Sequence, residues 1–228
     1  LYSMLERLNR PEVNIITVED PVEYHIQGIN QVQVNERAGL TFAESLRSIL
    51  RQDPDKIMLG EIRDMVTAEM AIRAALTGHT VLSTLHTNDA PSSVIRLIDM
   101  GVAPFLVSSS MMAAIAQRLV RRLCTQCKEP YTLPQALCDS LGFPPGTVAY
   151  RSVGCEACRN SGFKGRTAIF EIMVVNDEIR NLIVRGAPLS DIRSLAIQEG
   201  MRTLRDQGLR KVRSGVSSLE EVLFVTMG

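Results

Sequence analysis

The sequence predicts an α/β fold in three parts. A parallel-sheet core occupies residues 1–123, a four-cysteine segment 124–165, and a strand followed by a mainly helical part 166–228. Three observations predict this. Short apolar runs alternate with helical patterns through the first 123 residues, as in a parallel sheet whose crossovers are helices. Residues 124–165 are rich in Cys, Pro and Gly, poor in periodic pattern, and carry two C-x-x-C pairs. The remainder shows one apolar run and then short amphipathic stretches, with no internal repeat anywhere.

Composition narrows the function classes. The 228 residues carry 25 Lys plus Arg against 25 Asp plus Glu, with 45% hydrophobic and 22% charged residues. That balance excludes wholesale disorder and fibrous repeats. Zero net charge argues against nonspecific nucleic-acid binding as the main task. Five cysteines are too few for a disulfide scaffold of this size.

The chain opens at Leu1, and Leu1, Met4, Leu5 and Leu8 have helical spacing. A start inside an amphipathic helix leads us to expect further chain upstream. Residues 13–18 read as the first strand, ending in Glu19-Asp20-Pro21, where Pro21 cannot continue the ladder. Thr41 and Glu44 form a capping box for the next helix, whose apolar stripe is Phe42, Leu46, Ile49 and Leu50. Arg47 and Arg51, four apart, are expected on one face of it. Residues 56–59 are a second strand, followed by Gly60-Glu61. A helix over 67–77 is closed by Gly78. Residues 80–85 make a third strand, ending at His86. Pro91 opens a helix that Gly101 follows.

The longest uncharged run, 100–117, is broken by Gly101, Pro104 and Ser108 to Ser110. A buried or interface helix suits it better than a membrane span. A long helix over 105–123 is expected to close the first region. Met111, Met112 and Ile115 would be core, and Arg118, Arg121 and Arg122 a basic cluster at the helix C-terminus. Favourable interaction with the helix dipole is the simpler reading of that cluster, and contact with acidic lipid or a neighbouring subunit the sharper one. Farther on, 166–175 reads as a strand packed against the main domain, Ser190 as a helix start, Gly200 as an interruption, and Ser217 to Glu220 as another capping box.

Chemistry gathers at the strand ends. If the three strands are parallel neighbours, Glu19, Asp20, Glu61 and His86 converge on the crevice outside their carboxyl ends. Carboxylates there suit a magnesium ion or a water-activating base, and His and Arg suit phosphate oxygens. The plainer alternative is that polar residues punctuate strands and the two arginines form a solvated face. Physics alone reaches a phosphate or metal site.

Cys124, Cys127, Cys155 and Cys158 form two C-x-x-C pairs with 27 residues between them. Each pair can place two thiolates on one tetrahedral ion, so the four complete a structural zinc shell. A redox pair and buried reduced thiols are the alternatives. Cys138, on a short helical stretch over 135–141, is expected to be a packing residue, since tetrahedral zinc has no place for a fifth ligand.

Four motifs, in order, carry a family resemblance. Residues 16–24, ITVEDPVEY, resemble the acidic box of the type II secretion and type IV pilus ATPases. Residues 46–55, LRSILRQDPD, resemble their arginine-bearing segment, 57–64, IMLGEIRD, their Walker B box, and 77–88, TGHTVLSTLHTN, their histidine box. Residues 117–124 and the tail from 209 also match, so the resemblance covers nearly the whole chain. It implies a RecA-like, homo-hexameric ATPase core binding ATP and Mg2+. Such a motor powers pseudopilus or pilus assembly with platform and adaptor proteins at the cytoplasmic face of the inner membrane, with no nucleic acid expected. It also implies that Glu61 polarises the attacking water directly or through magnesium, with Glu23, and more loosely Glu19 and Asp20, completing the acidic side. Arg47 and Arg51 would meet the γ-phosphate or stabilise charge, and His79 and His86 would sense or bind that region. His25 lies outside the motif and reads as a loop residue. Many members carry the tetracysteine element, and retraction motors generally lack it.

One element is absent. No G-x-x-x-x-G-K-[ST] occurs in the chain. Without that loop there is no amide cradle and no lysine for the β- and γ-phosphates. The chain alone is therefore expected to bind and hydrolyse ATP poorly. Two rivals follow: a nucleic-acid translocase on the same scaffold, and a zinc-stapled adaptor without enzymatic activity. The neutral charge and the lack of interleaved aromatic and basic residues oppose the first.

Overall fold

The computed structural model describes residues 1–227. In chain order its elements are α1 (Tyr2–Leu8), β1 (Ile15–Glu19), β2 (Asn30–Gln33), α2 (Phe42–Ile49), β3 (Lys56–Leu59), α3 (Met65–Leu76), β4 (Thr80–Ser83), α4 (Ser92–Asp99) and α5 (Pro104–Ser110). They continue with β5 (Ala113–Leu123), β6 (Glu129–Thr132), α6 (Gln135–Leu141), β7 (Val148–Arg151), β8 (Phe163–Val174), α7 (Asp177–Val184), α8 (Leu189–Gln198), α9 (Leu204–Arg213) and α10 (Leu219–Thr226). They cluster into two compact units that interleave along the chain. One comprises residues 1–87, 91–112 and 175–192, the other 88–90, 113–174 and 193–228.

The first unit is built on a four-stranded, all-parallel sheet of order β2-β1-β3-β4. Strand pleating divides its side chains. Ile16 and Val18 of β1 and Ile57 and Leu59 of β3 pack with Phe42, Leu46 and Ile49 of α2 and Ala71 and Ala74 of α3. Ile15 and Met58 point the other way and pack with Leu5 of α1. Every β1 residue is buried, as expected of a strand covered on both faces. β2, polar and half-exposed, was not expected; its Asn-Gln-Val-Gln sequence lacks the apolar signal of the other strands.

Caps set the helix bounds. The Thr41 hydroxyl accepts from the Glu44 N–H at 3.3 Å, but the Glu44 carboxylate pairs with Arg47 rather than closing the box. α2 ends at Ile49 with Leu50 as its C-cap, so Arg51 lies in the following turn, outside the helix that was expected to carry it. Asp64 caps α3 through the N–H and hydroxyl of Thr67, and Gly78 (φ +102°) turns the chain after the Thr77 C-cap.

The expected helix over 105–123 is replaced by α5 and β5. The hydroxyls of Ser108, Ser109 and Ser110 donate back to carbonyls of Phe105, Phe105 and Leu106. Such back-bonding competes with helix continuation, and α5 stops there. Beyond it Ala114, Ala116, Val120 and Leu123 are buried and their neighbours largely are not, a strand alternation. Met112 is 76% and Ile115 48% exposed, so neither is a core residue. Arg118, Arg121 and Arg122 lie on this strand, not at a helix C-terminus, so the dipole reading fails for them.

In the second unit β5 pairs antiparallel with β8, from Ala113 opposite Val174 to Arg121 opposite Arg166. The expected strand over 166–175 is thus present, extended to Phe163, and its partner is β5. β6 and β7 form an antiparallel pair framing α6, which coincides with the helix expected over 135–141. Arg121 donates twice to the buried Glu221 of α10, at 2.8 and 2.5 Å, and stacks 4.0 Å over the Phe163 ring. Thr203 and Asp206 complete a capping box on α9, and Ser218 caps α10. α9 and α10 approach closely at Gly208, where an added Cβ would lie 2.5 Å from Val222 Cγ1.

Candidate functional site: a carboxyl-edge cluster and a four-thiol cage

β1, β3 and β4 are parallel neighbours, so their carboxyl ends share one edge of the sheet. Glu61 follows β3 there with its side chain 16% exposed. Its Oε1 accepts from Arg63 at 2.5 Å, and its Oε2 lies 3.2 Å from His86 Nε2. Arg63 also reaches Asp20, at 3.6 Å. Thr84 Oγ1 donates to the Gly60 carbonyl at 2.6 Å, and the Ile62 N–H to the Thr84 carbonyl at 3.0 Å; these bonds tie the loops after β3 and β4. The Arg63 guanidinium, aided by His86 and opposed by desolvation, holds the Glu61 carboxyl below the ordinary carboxylate range. A carboxylate held ionised in this way is a weak proton acceptor. It is suited to orienting a water molecule and stabilising positive charge.

Glu19 is placed differently. It shares the α1-facing side of β1 with Thr17 and is 3% exposed. Its Oε1 accepts from Thr17 Oγ1 at 2.6 Å and Gln31 Nε2 at 3.0 Å, and its Oε2 from the Tyr2 hydroxyl. Glu23 is exposed, in the loop beyond Asp20-Pro21. His25 is an exposed loop residue.

Three residues are not brought to this edge. His79 precedes β4 whereas His86 follows it, so the length of the strand, roughly 13 Å, separates them. The His79 ring lies 3.0 Å from the Ala74 carbonyl and 3.1 Å from Thr77 Oγ1, at the turn from α3 into β4. Arg47 lies in the last turn of α2, and Arg51 in the connection leading to the amino end of β3. Both are exposed. Arg63 stands in the 57–64 motif without an assigned role, and Tyr2 and Gln31 lie outside every motif read from the sequence. Arg63 had a readable signal, since it lies two residues from Glu61 just past a strand.

In the second unit the four expected sulfurs come together. The Sγ atoms of Cys124, Cys127, Cys155 and Cys158 all lie within 4.8 Å of one another. Three pairs are 3.7–3.9 Å apart. Zinc–sulfur bonds of about 2.3 Å imply a tetrahedron edge of about 3.8 Å, so the cage fits that ion. Main-chain N–H groups face it: Gly154 donates to Cys127, and Cys155 and Gly162 to Cys158, at 3.2–3.3 Å. Against desolvation, which raises it, these donors bring the Cys158 thiol down to about 6, while burial takes Cys127 up to about 12. Cys138 is fully buried elsewhere, its Sγ 3.8 Å from the Leu133 carbonyl. Among the described residues no other group of three His, Cys, Asp or Glu side chains could hold a metal.

The family model described as type II/IV secretion system protein matches residues 1–224. The type II secretion system protein HxcR of Pseudomonas aeruginosa is 53% identical over 226 residues, 99% of this chain and 45% of that protein. The type IV pilus assembly ATPase PilB of Myxococcus xanthus is 52% identical over 229 residues, 98% of this chain and 40% of its own length. The chain thus spans under half the length of these relatives. Among solved structures, the pilus retraction motor PilT with bound ADP superposes with a TM-score of 0.73 at 29% identity, covering 100% of this chain and 57% of that one. With the parallel sheet, the carboxyl-edge cluster and a match over nearly its whole length, the chain belongs to the type II/IV secretion system protein family.

Proposed function

We propose that the chain is the catalytic and zinc-stapled part of an ATP-hydrolysing motor for type II secretion or type IV pilus assembly. The observation that carries this reading is the Glu61–Arg63–His86–Asp20 cluster at the carboxyl edge of the parallel sheet. Glu61 orients the attacking water, and His86 and Arg63 offer donors to the γ-phosphate and to the charge that develops on it. Bound magnesium would neutralise phosphate charge. Asp20 and Glu23 supply the acidic side. Residues 1–123 carry the nucleotide-facing machinery, 124–165 the zinc staple, and 166–228 the strand and helices that follow.

The chain supplies no phosphate cradle of its own, so full activity belongs to the full-length protein that adds one. Arg47, Arg51 and His79 stand away from the carboxyl edge and serve a nucleotide held by an adjacent copy, in keeping with a homo-hexamer. Platform and adaptor proteins at the cytoplasmic face of the inner membrane would be its partners. Among the described residues no helix is long and apolar enough to cross a membrane. The four-cysteine cage holds zinc as a structural ion that pins the base of the 27-residue loop. The test is ATP turnover by the full-length protein with and without Glu61→Gln: turnover lost in the variant supports the reading, and full turnover refutes it.

A further inference from the structure

We propose that Tyr2 and Gln31 are positioning residues that clamp the acidic loop, with Glu19 as their buried anchor and Glu23 as the carboxylate they present. This inference deepens the hydrolase reading and rests on it.

The Tyr2 hydroxyl makes two contacts on the loop. It donates to Glu19 Oε2, and its oxygen accepts from the Glu23 N–H at 3.0 Å. The Tyr2 ring packs edge-on against Tyr24, with centroids 4.5 Å apart. Gln31 works from β2: its amide nitrogen donates to Glu19 Oε1 at 3.0 Å and the Tyr24 carbonyl at 3.2 Å, and its amide oxygen accepts from the Ile26 N–H at 2.7 Å. The loop between β1 and Ile26 is therefore held at Glu23, Tyr24 and Ile26 by two side chains that share one buried carboxylate.

Three donors, from Thr17, Gln31 and Tyr2, already occupy the Glu19 oxygens. Burial under these three donors makes Glu19 an anchor rather than a ligand for nucleotide or magnesium. Glu23, by contrast, is exposed. The reach of its side chain starts from the backbone at Glu23, which the Tyr2 hydroxyl holds. Replacing Tyr2 by Phe removes one hydroxyl while keeping the ring against Tyr24; the Glu23 N–H loses its acceptor and Glu19 Oε2 its donor.

The test is steady-state ATPase kinetics of the full-length protein carrying Tyr2→Phe, Glu23→Gln or both, with Glu61→Gln as the control. Loss of positioning should lower kcat about tenfold and leave KM within about twofold. Because Tyr2 acts through Glu23, the double variant should be no slower than Glu23→Gln alone. A wild-type kcat in Tyr2→Phe, or a double variant whose deficit is the product of the two singles, overturns the clamp. If Tyr2→Phe fails to fold, Gln31→Met in the same cycle with Glu23→Gln carries the test under the same criteria. A control Glu61→Gln protein with undiminished turnover would instead remove the hydrolase reading itself.

Discussion

Removing one thiolate from the four-cysteine cage has a calculable consequence. Cys158 is the informative ligand, because its Sγ lies 3.7 Å from Cys155 and 3.8 Å from Cys127 and accepts two main-chain N–H groups. Cys158→Ser keeps a hydrogen-bonding atom for those N–H groups but replaces a thiolate by a hydroxyl that stays protonated. Structural zinc in small domains contributes about 10–16 kcal/mol over four ligands, so one ligand corresponds to about 3 kcal/mol. At about 1.4 kcal/mol per decade, that is about a hundredfold in affinity. The assay is zinc content by mass spectrometry of freshly purified reduced protein, followed by competition with a chromogenic chelator. Wild type should hold one zinc per chain and Cys158→Ser should yield it about a hundredfold more readily. Cys138→Ser, buried away from the cage, should match wild type. Wild-type protein with far less than one zinc, or unchanged affinity in Cys158→Ser, would refute the reasoning.

Two further expectations concern the second unit. Against desolvation, the Arg121 guanidinium and main-chain N–H hold the Glu221 carboxyl below its ordinary value. A depressed carboxyl stabilises the fold above its unfolded-state pKa of about 4.3 and loses that contribution as pH falls through the lower folded value. Urea unfolding across pH 3–6 should show this acid slope in wild type and a flatter one in Arg121→Met; equal slopes would count against the pair. Gly208→Ala should cost about 1–3 kcal/mol in the same assay, because the new methyl would meet Val222 Cγ1 at 2.5 Å. Val222→Ala should make the added methyl tolerable, and a neutral Gly208→Ala would show that the two helices simply move apart.

Much of this architecture was legible where local rules and tertiary packing agree. β3 runs over the expected residues because an apolar run is bounded by Pro54-Asp55 and Gly60. The Thr41 cap and α6 were legible for similar reasons, whereas the box expected over Ser217 to Glu220 falls one residue later: Ser218 caps α10, and the Ser217 hydroxyl donates to the Arg121 carbonyl. The 105–123 stretch misled because a continuous uncharged run is ambiguous between buried helix and strand. What decided it was three serine back-bonds and pairing with the distant strand β8, from Leu123 opposite Phe163 to Ala113 opposite Val174, which no local pattern reports. β2 was missed because an edge strand needs little apolar signal. In the site, Glu61, Asp20 and His86 come together because β1, β3 and β4 are parallel neighbours, the condition on which the sequence reading made their convergence depend. The same logic puts His79 on the far side of β4, since it precedes the strand. The bonding of Glu19 was not legible, because it depends on a tyrosine from α1 and a glutamine from β2 arriving at one carboxylate.

In the proposed motor, Glu61 at the carboxyl edge serves phosphoryl transfer to water. The most direct test of this role is single-turnover conversion of ATP by the full-length protein, wild type against Glu61→Gln, with nucleotide binding followed in parallel. The variant should bind ATP as wild type does but convert it about 10²–10⁴-fold more slowly. Conversion at the wild-type rate by the variant would contradict that role.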